Sequence, residues 1–523
     1  MKTIRNLMFV VSCVAVAAVA QAQSWQFVGS RAMGMGGVGV ATAYGPDAQY
    51  WNPAGLAQED NLNETGLLIN LGADIQATKN VLEGVSNLTD MADQYKSLEN
   101  AINTNAVANA ENISTLFKGL NDISKLIGAN SGALVNANAG LGLKIKNFAV
   151  TARAIGTGAI TPVVDTQNIK FKTGTGLNMG NKSAALSAAD TATATTLKNA
   201  IEQYGILPAL NDLLGTTNYT SAEMATAIVD AMASQGIDST VISNTVNTVI
   251  DNLGGASEIL NQYASASGSY KDNQTLAMAD VATFGEFSLG YGQRVIPGLK
   301  LGANLKVIEG YAAQSGVMIL QDNQDIGDIL DKAYDNRKGS TNLGVDLGAL
   351  VNFSEMLDKE IFLNPQVGLT AKNINGPKFA RPDVPAELAG TPIAAQWNHD
   401  KYQLKPQVRA GVAINPMKNL TVAADLDVTE NDTMISGIKS RQLGLGAEIN
   451  LFNRPKFHIP LRVGYNKNLA ESNVSDFFTA GVGLNMLHFY LELAGAVSAD
   501  TSKVDGNTIP NSAAVSLSLG FLF

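Results

Sequence analysis

Val135-Asn136-Ala137-Asn138-Ala139-Gly140-Leu141-Gly142-Leu143-Lys144-Ile145 alternates apolar with small or polar residues without a break. A strand sends successive side chains to opposite faces, so this stretch carries one apolar face and one polar face. The same holds for Leu299, Leu301, Ala303, Leu305 and Val307 against Lys300, Gly302, Asn304 and Lys306, and for Leu420–Val428. Similar segments lie around Leu67–Gln76, Phe148–Thr157, Phe284–Arg294, Leu343–Asn352, Gln366–Asn373, Gln407–Ile414, Leu443–Asn450, Leu461–Tyr465, Phe478–Asn485, Phe489–Val497 and Ala513–Phe523. Together they predict about fourteen strands, most of a length that suits a tilted membrane strand.

The links between these segments sort by parity. Short ones follow even strands: Asn147, Ile296-Pro297-Gly298, Pro416-Met417-Lys418-Asn419 and Met486. Those after odd strands are longer, up to the stretch between Ile160 and Ala282. Short turns on one side and long loops on the other describe an outer-membrane barrel, whereas a soluble sandwich has no reason to sort its loops. The last segment places Val515, Leu517, Leu519, Phe521 and Phe523 on one face and ends on an aromatic residue, as do barrels handed to the outer-membrane assembly machinery. The expected fold is therefore an all-β transmembrane barrel of about fourteen antiparallel strands over residues 61–523, facing outer-membrane lipid.

Composition agrees. The 523 residues hold 36 Lys plus Arg against 46 Asp plus Glu, a formal charge of −10 that speaks against a nucleic-acid partner. Past the first two dozen residues no apolar run approaches the roughly 20 needed for a spanning helix. Lys2 and Arg5 precede an apolar stretch from Leu7 to Ala20, and Ala20-Gln21-Ala22 supplies small residues where a signal peptidase reads. Residues 1–22 are thus expected to be a cleaved signal peptide, directing the chain to the bacterial outer membrane. Val11-Ser12-Cys13 is a weak lipoprotein-like alternative. Cys13 is the only cysteine, so cleavage leaves no thiol for disulfide, metal or nucleophilic chemistry.

No enzyme signature is expected either. His399, His458 and His488 are widely spaced, and neither a GxSxG elbow nor a Walker loop occurs. Asp322, Asp325, Asp328 and Asp331 share a helix face but lack the glycine of a calcium hand, so a solvated loop helix is the plainer reading. No metal or cofactor is expected.

Two long links carry helical spacing. In 79–130, Val85, Leu88, Ala92 and Tyr95 form one series and Ile113, Leu116, Leu120, Ile123 and Ile127 another. In 182–266, Thr220-Ser221-Ala222-Glu223 has the form of a capping box. By parity both insertions are extracellular, either as a packed cap or as a docking platform.

Ahead of the first strand, residues 23–60 hold Ser30-Arg31-Ala32-Met33-Gly34-Met35-Gly36-Gly37 and Tyr50-Trp51-Asn52-Pro53-Ala54-Gly55-Leu56. These strings resemble the amino-terminal hatch of the FadL-like outer-membrane superfamily, which includes PorV-type barrels. The large helical insertions make the chain most similar to TraF-like conjugal transfer barrels. The resemblance implies a plug in the lumen and a hydrophobic ligand. It places Asn52, Pro53 and Ala54 at the ligand-facing part of the hatch, although those residues could simply fix the entry into the first strand. Gly34, Gly36 and Gly37 allow a tight backbone fold. Gly34-Met35-Gly36-Gly37-Val38-Gly39 also fits a dinucleotide pattern, but no strand and helix frame it.

Relatives with fatty-acid activity have a kinked third strand, and here Gly156, Gly158 and Pro162 would weaken pairing at the corresponding place, either as a lateral opening or as an ordinary strand end. The inward faces carry Arg153, Asp346, Arg409, Asp425, Asp427, Glu448, Arg462 and Glu492. Counting outward from the Pro416–Asn419 turn places Arg409 nearly opposite Asp425 and Asp427, and Glu448 similarly approaches Arg462. Such pairs would brace the wall or fasten the plug, a substrate-binding role being the alternative. Two functions follow as expectations: a channel or transporter for a hydrophobic small molecule, or a docking barrel that serves envelope secretion or conjugation proteins.

Overall fold

The computed structural model describes residues 25–58, 65–79, 81–82, 114, 117–118, 121, 131–169, 186–214, 216, 218–268, 272–318, 334–384, 394, 401–435, 437–454, 457–504 and 507–522. The leader 1–22, the helical series Val85–Tyr95 and Ile113–Ile127 as named above, His399 and Asp322–Asp331 lie outside the described residues.

Fourteen strands close into one antiparallel barrel. In chain order they are β1 Thr65–Ala77, β2 Ala133–Ile145, β3 Phe148–Val163, β4 Leu276–Ile296, β5 Leu299–Met318, β6 Lys338–Asn352 and β7 Gln366–Lys372. There follow β8 Gln407–Met417, β9 Leu420–Asp427, β10 Gln442–Arg454, β11 Phe457–Asn468, β12 Phe477–Met486, β13 Phe489–Ser498 and β14 Ser512–Leu522. Each pairs with its sequence neighbours, and β14 returns to β1 from Gly66↔Leu522 to Gln76↔Ser512. Closure removes the unpaired edges that a bilayer would penalise.

The alternation sets the two surfaces. Leu67, Ile69 and Leu71 on β1 and Leu141, Leu143 and Ile145 on β2 are exposed on the outer face. Between them Asn70, Asn136 and Asn138 are buried on the inner one. Aromatic pairs flank this apolar band. Phe148–Tyr291 at 4.6 Å and Phe489–Phe521 at 5.7 Å sit near the short-turn end, and Tyr465–Phe478 at 5.4 Å lies toward the long-loop end, an arrangement typical of interfacial girdles. No helix among the described residues is long and apolar enough to cross a membrane.

Strands β3, β4 and β5 run well past the apolar band on the long-loop side, farther than the alternation alone implies. Above them, helices Ala188–Tyr204, Leu207–Leu213, Ser221–Ala233 and Ser239–Ser265 form a bundle. Its core includes Leu197, Ile201, Met224, Ile228, Val246 and Leu253. The Thr220–Glu223 capping box is formed in both directions, satisfying amides that the first turn leaves open.

The long-loop mouth is roofed from inside. Phe379, Tyr402 and Leu404 from link 373–406 and Met434, Ile435 and Ile438 from link 428–441 pack on Leu134, Phe284 and Ile308 of the wall. Phe284 meets Phe379 edge-on at 4.7 Å. Burying each such side chain contributes about 1.5–3 kcal/mol, so the roof is an adherent layer.

Candidate functional site

The segment before β1 fills the lumen. It makes two short helices, α1 Ser30–Gly34 and α2 Ala48–Trp51, and a 3-10 turn Pro53–Ala57. Pro53 starts that turn, where its missing N–H costs nothing. The Asn52 side chain accepts from the Ala54 amide at 3.1 Å and donates to the Val40 and Ala349 carbonyls at 2.9 and 3.0 Å. Asn52 thus caps its own turn and ties plug to wall. Trp51 Nε1 donates to the Val28 carbonyl at 2.9 Å, folding the segment back on itself.

A belt of wall glycines receives the plug backbone. Gly292, Gly302 and Gly348 face one another across β4, β5 and β6, and Gly368 and Gly411 across β7 and β8. A Cβ on Gly302 would stand 2.2 Å from the Pro53 carbonyl carbon, and one on Gly348 2.1 Å from Asn52 Oδ1. Gly446 and Gly464, directly opposed on β10 and β11, similarly meet Met35 and Gly36. Gly36 and Gly37 have φ of 72° and 81°, a left-handed conformation that places the plug backbone where only glycine fits on either side. Gly34 approaches Gly481 on β12. No single segment of sequence displays this belt, because it exists only across strands in register. Gly292 and Gly302 lie five residues to either side of Pro297, a clue the sequence does carry.

Ion pairs complete the seat. Arg409 Nε donates to Asp427 Oδ1 at 2.7 Å across the β8–β9 hairpin. Asp425 instead accepts the plug amides of Gly39 and Val40 at 2.7 and 2.9 Å. Glu448 joins Arg462 at 2.6 Å and Arg31 of the plug at 2.9 Å, while Arg462 also pairs with Glu492. Asp346 binds Lys306 at 3.0 Å. Arg153 lies opposite Glu286 and stacks over the Tyr50 ring at 4.9 Å. The charges named from sequence therefore act with plug residues that sequence did not single out, Arg31 above all.

The plug centre is aromatic. Trp25 stacks on Trp51 at 5.8 Å, and Tyr50 meets both edge-on. The Lys372 ammonium lies 3.7 Å from the Trp25 ring centre and 3.0 Å from that of Tyr50, and Arg409 lies over Trp25 at 4.9 Å. Such contacts are worth about 2 kcal/mol when desolvated.

Two cavities flank this core. The outer one has Leu134, Ile435 and Ile438 above and Trp25 and Trp51 below, with Asp74 among its polar walls. The inner one is bounded by Arg31, Tyr44, Asp47, Leu68, Trp51 and Tyr490. Trp51 borders both and separates them.

Two places where the sequence leaves alternatives open can be described directly. Asn52, Pro53 and Ala54 line neither of these cavities and press against the glycine belt. β3 pairs without a register shift, from Ala133↔Ile160 on the β2 side and through Val163↔Leu276 on the β4 side. No lateral opening is formed at Gly156, Gly158 or Pro162. Glycine still pairs in an extended strand, and Pro162 lies past the last β2 partner, where its missing N–H breaks no β2 contact.

A family model described as "F plasmid transfer operon, TraF, protein" matches residues 49–427. No curated protein sequence matches the chain. Among solved structures, the toluene transporter TbuX of Ralstonia pickettii aligns over 95% of this chain and 98% of its own, at 10% identity and a TM-score of 0.40. The CymD monoaromatic hydrocarbon channel aligns over 95% and 97%, at 11% identity and 0.38. A Pseudomonas aeruginosa FadL homologue aligns over 94% and 97%, at 9% identity and 0.37.

Proposed function

Starting from a chain that belongs to the F plasmid transfer operon TraF protein family, we propose that it is a plugged outer-membrane channel taking up a hydrophobic or amphipathic small molecule. The observation that carries this reading is the outer cavity, a gap between an apolar roof and an aromatic floor that a shift of the plug would widen for a ligand. Ligand entering under the roof would rest on Trp25 and Trp51, and passage to the inner cavity would require the plug to shift past Trp51. No covalent step is needed, and the exported chain would be an outer-membrane protein surrounded by lipid after insertion by the assembly machinery.

The test is uptake of a radiolabelled apolar solute by cells or proteoliposomes holding the full barrel, compared with a variant whose plug is pinned. A cysteine pair, one on the plug and one on the wall strand it touches, with Cβ atoms about 3.8 Å apart, would supply the pin in a mature chain otherwise free of cysteine. Uptake that stops on oxidation and returns on reduction supports the reading; uptake indifferent to the pin refutes it.

A second reading is a docking barrel in a conjugal transfer or secretion apparatus. It is favoured by family membership and by the helical bundle over 188–265, whose hydrophobic core continues onto Ala77 and Ala133 at the ends of β1 and β2. Co-purification of envelope proteins that is lost when residues 184–263 are deleted would support it.

A further inference from the structure

We propose that the link between β6 and β7, residues 353–365, is a docking knob for a periplasmic protein whose apolar pocket is rimmed by Lys or Arg; neither reading above uses this side of the barrel. The short-turn side, which in such barrels faces the periplasm, is otherwise minimal. Two residues join β2 to β3, β4 to β5, β8 to β9, β10 to β11 and β12 to β13, whereas this link has thirteen. Hairpin loops usually take about two to five residues, so the added length serves something other than the turn.

The link is firmly built. The Asn352 side chain accepts the Glu355 amide at 3.0 Å and starts a helical turn, Phe353–Met356. The Phe353 amide donates to the Pro365 carbonyl at 3.2 Å, closing the base, and the Ile361 amide donates to Ser354 Oγ at 3.3 Å. The Asn415 amide of β8 donates to the Leu363 carbonyl at 2.7 Å, and Glu355 pairs with Lys300 at 3.2 Å. On this anchored base Phe362 is 85% exposed and Leu357 62%. Leu363, directly after Phe362, has a φ of 68°, which a bulky side chain rarely adopts, so the anchoring bonds rather than local preference hold Phe362 in water. An aromatic side chain fixed in this way loses little further freedom on entering a pocket, the property of an interface anchor.

Charge decides between lipid and protein as the occupant. Lys146, Arg294, Lys418 and Arg454 are exposed at or close to the two-residue turns, where they suit phospholipid headgroups. Link 353–365 instead exposes Asp358 and Glu360 beside a single Lys359. Headgroup phosphates would repel that acidic pair, whereas a protein surface with basic groups around an apolar pocket complements both the ring and its collar.

Photo-crosslinking in the cells that naturally produce the protein tests this, with p-benzoylphenylalanine replacing Phe362 in the full-length chain and, as a control, replacing Leu487 of the β12–β13 turn, which is 65% exposed. The probe at 362 is expected to give one dominant adduct, identified by mass spectrometry as a soluble exported protein and absent with the probe at 487. Asp358→Lys combined with Glu360→Lys should lower that adduct roughly tenfold, with folding checked by heat-modifiable gel mobility. The identified protein, once purified, should bind the detergent-purified full barrel, and Phe362→Ser should weaken that binding roughly tenfold. Adducts to phospholipid alone or to a second copy of this chain, no adduct, or a protein partner whose binding neither the charge reversal nor Phe362→Ser diminishes overturns the assignment.

Discussion

Arg31 of the plug grips Glu448 of the wall with two parallel bonds, Nε to Oε2 at 2.9 Å and Nη2 to Oε1 at 3.1 Å. A planar guanidinium matched to a carboxylate in this way fixes orientation as well as distance. Arg31→Met should loosen the seat by about 1.5–3 kcal/mol, because Glu448 keeps Arg462 but loses its charged plug partner. In planar bilayers the variant is expected to show conductance bursts that the native barrel lacks; a trace as quiet as the native one would mean the latch lies elsewhere.

Gly302 is the tightest part of the belt against Pro53. Gly302→Ala should displace the 3-10 turn at a cost of about 1–3 kcal/mol while leaving the barrel folded, since overpacking strains whichever neighbour can move. Gly285→Ala is the control, its nearest neighbour being the Glu309 carbonyl at 4.0 Å. Limited proteolysis of the plug should accelerate for the first variant alone.

Asp47 on the plug is pushed up to about 6, chiefly by burial, against the opposing pull of the Arg153 charge and the Asn70 amide. A carboxyl whose folded value exceeds the ordinary 3.8 binds its proton more firmly in the seated plug than in a released one. The Asp47 contribution is thus complete below about pH 4 and is lost as pH rises through about 6. Hydrogen exchange of the α2 amides should become faster from pH 4 to pH 7 beyond its intrinsic base dependence, and Asp47→Asn should abolish the excess.

Because the β3 ladder is continuous, barrels that fold with Gly156→Val and Gly158→Val should take up solute within about twofold of native, even where packing two valines at these buried positions lowers stability. A large loss of uptake in a folded double variant would show that β3 opens during transport.

The strands were legible because one physical rule, alternate residues toward lipid, acts on every one of them, and the parity of the links then gave the handed arrangement of loops. Hairpin register was legible too: Arg409 and Asp427 pair across β8 and β9, and Glu448 and Arg462 across β10 and β11. Asp425 departs from that expectation because the plug amides of Gly39 and Val40 occupy its carboxylate. How the plug lies in the lumen is a rigid-body question with no local periodicity, so Arg31–Glu448, the glycine belt and the wall-facing position of Asn52 could not be read ahead. The reach of β3–β5 beyond the apolar band was also hidden, since the lipid pattern stops where lipid does.

The β1–β14 seam has a consequence for how the molecule is made. The plug precedes the wall in the chain, yet its berth is assembled from strands all round the barrel, from Asn70 on β1 to Ser518 on β14, and β14 completes the cylinder beside β1. A folded cork cannot pass through a finished wall, so the bottle must be blown around it.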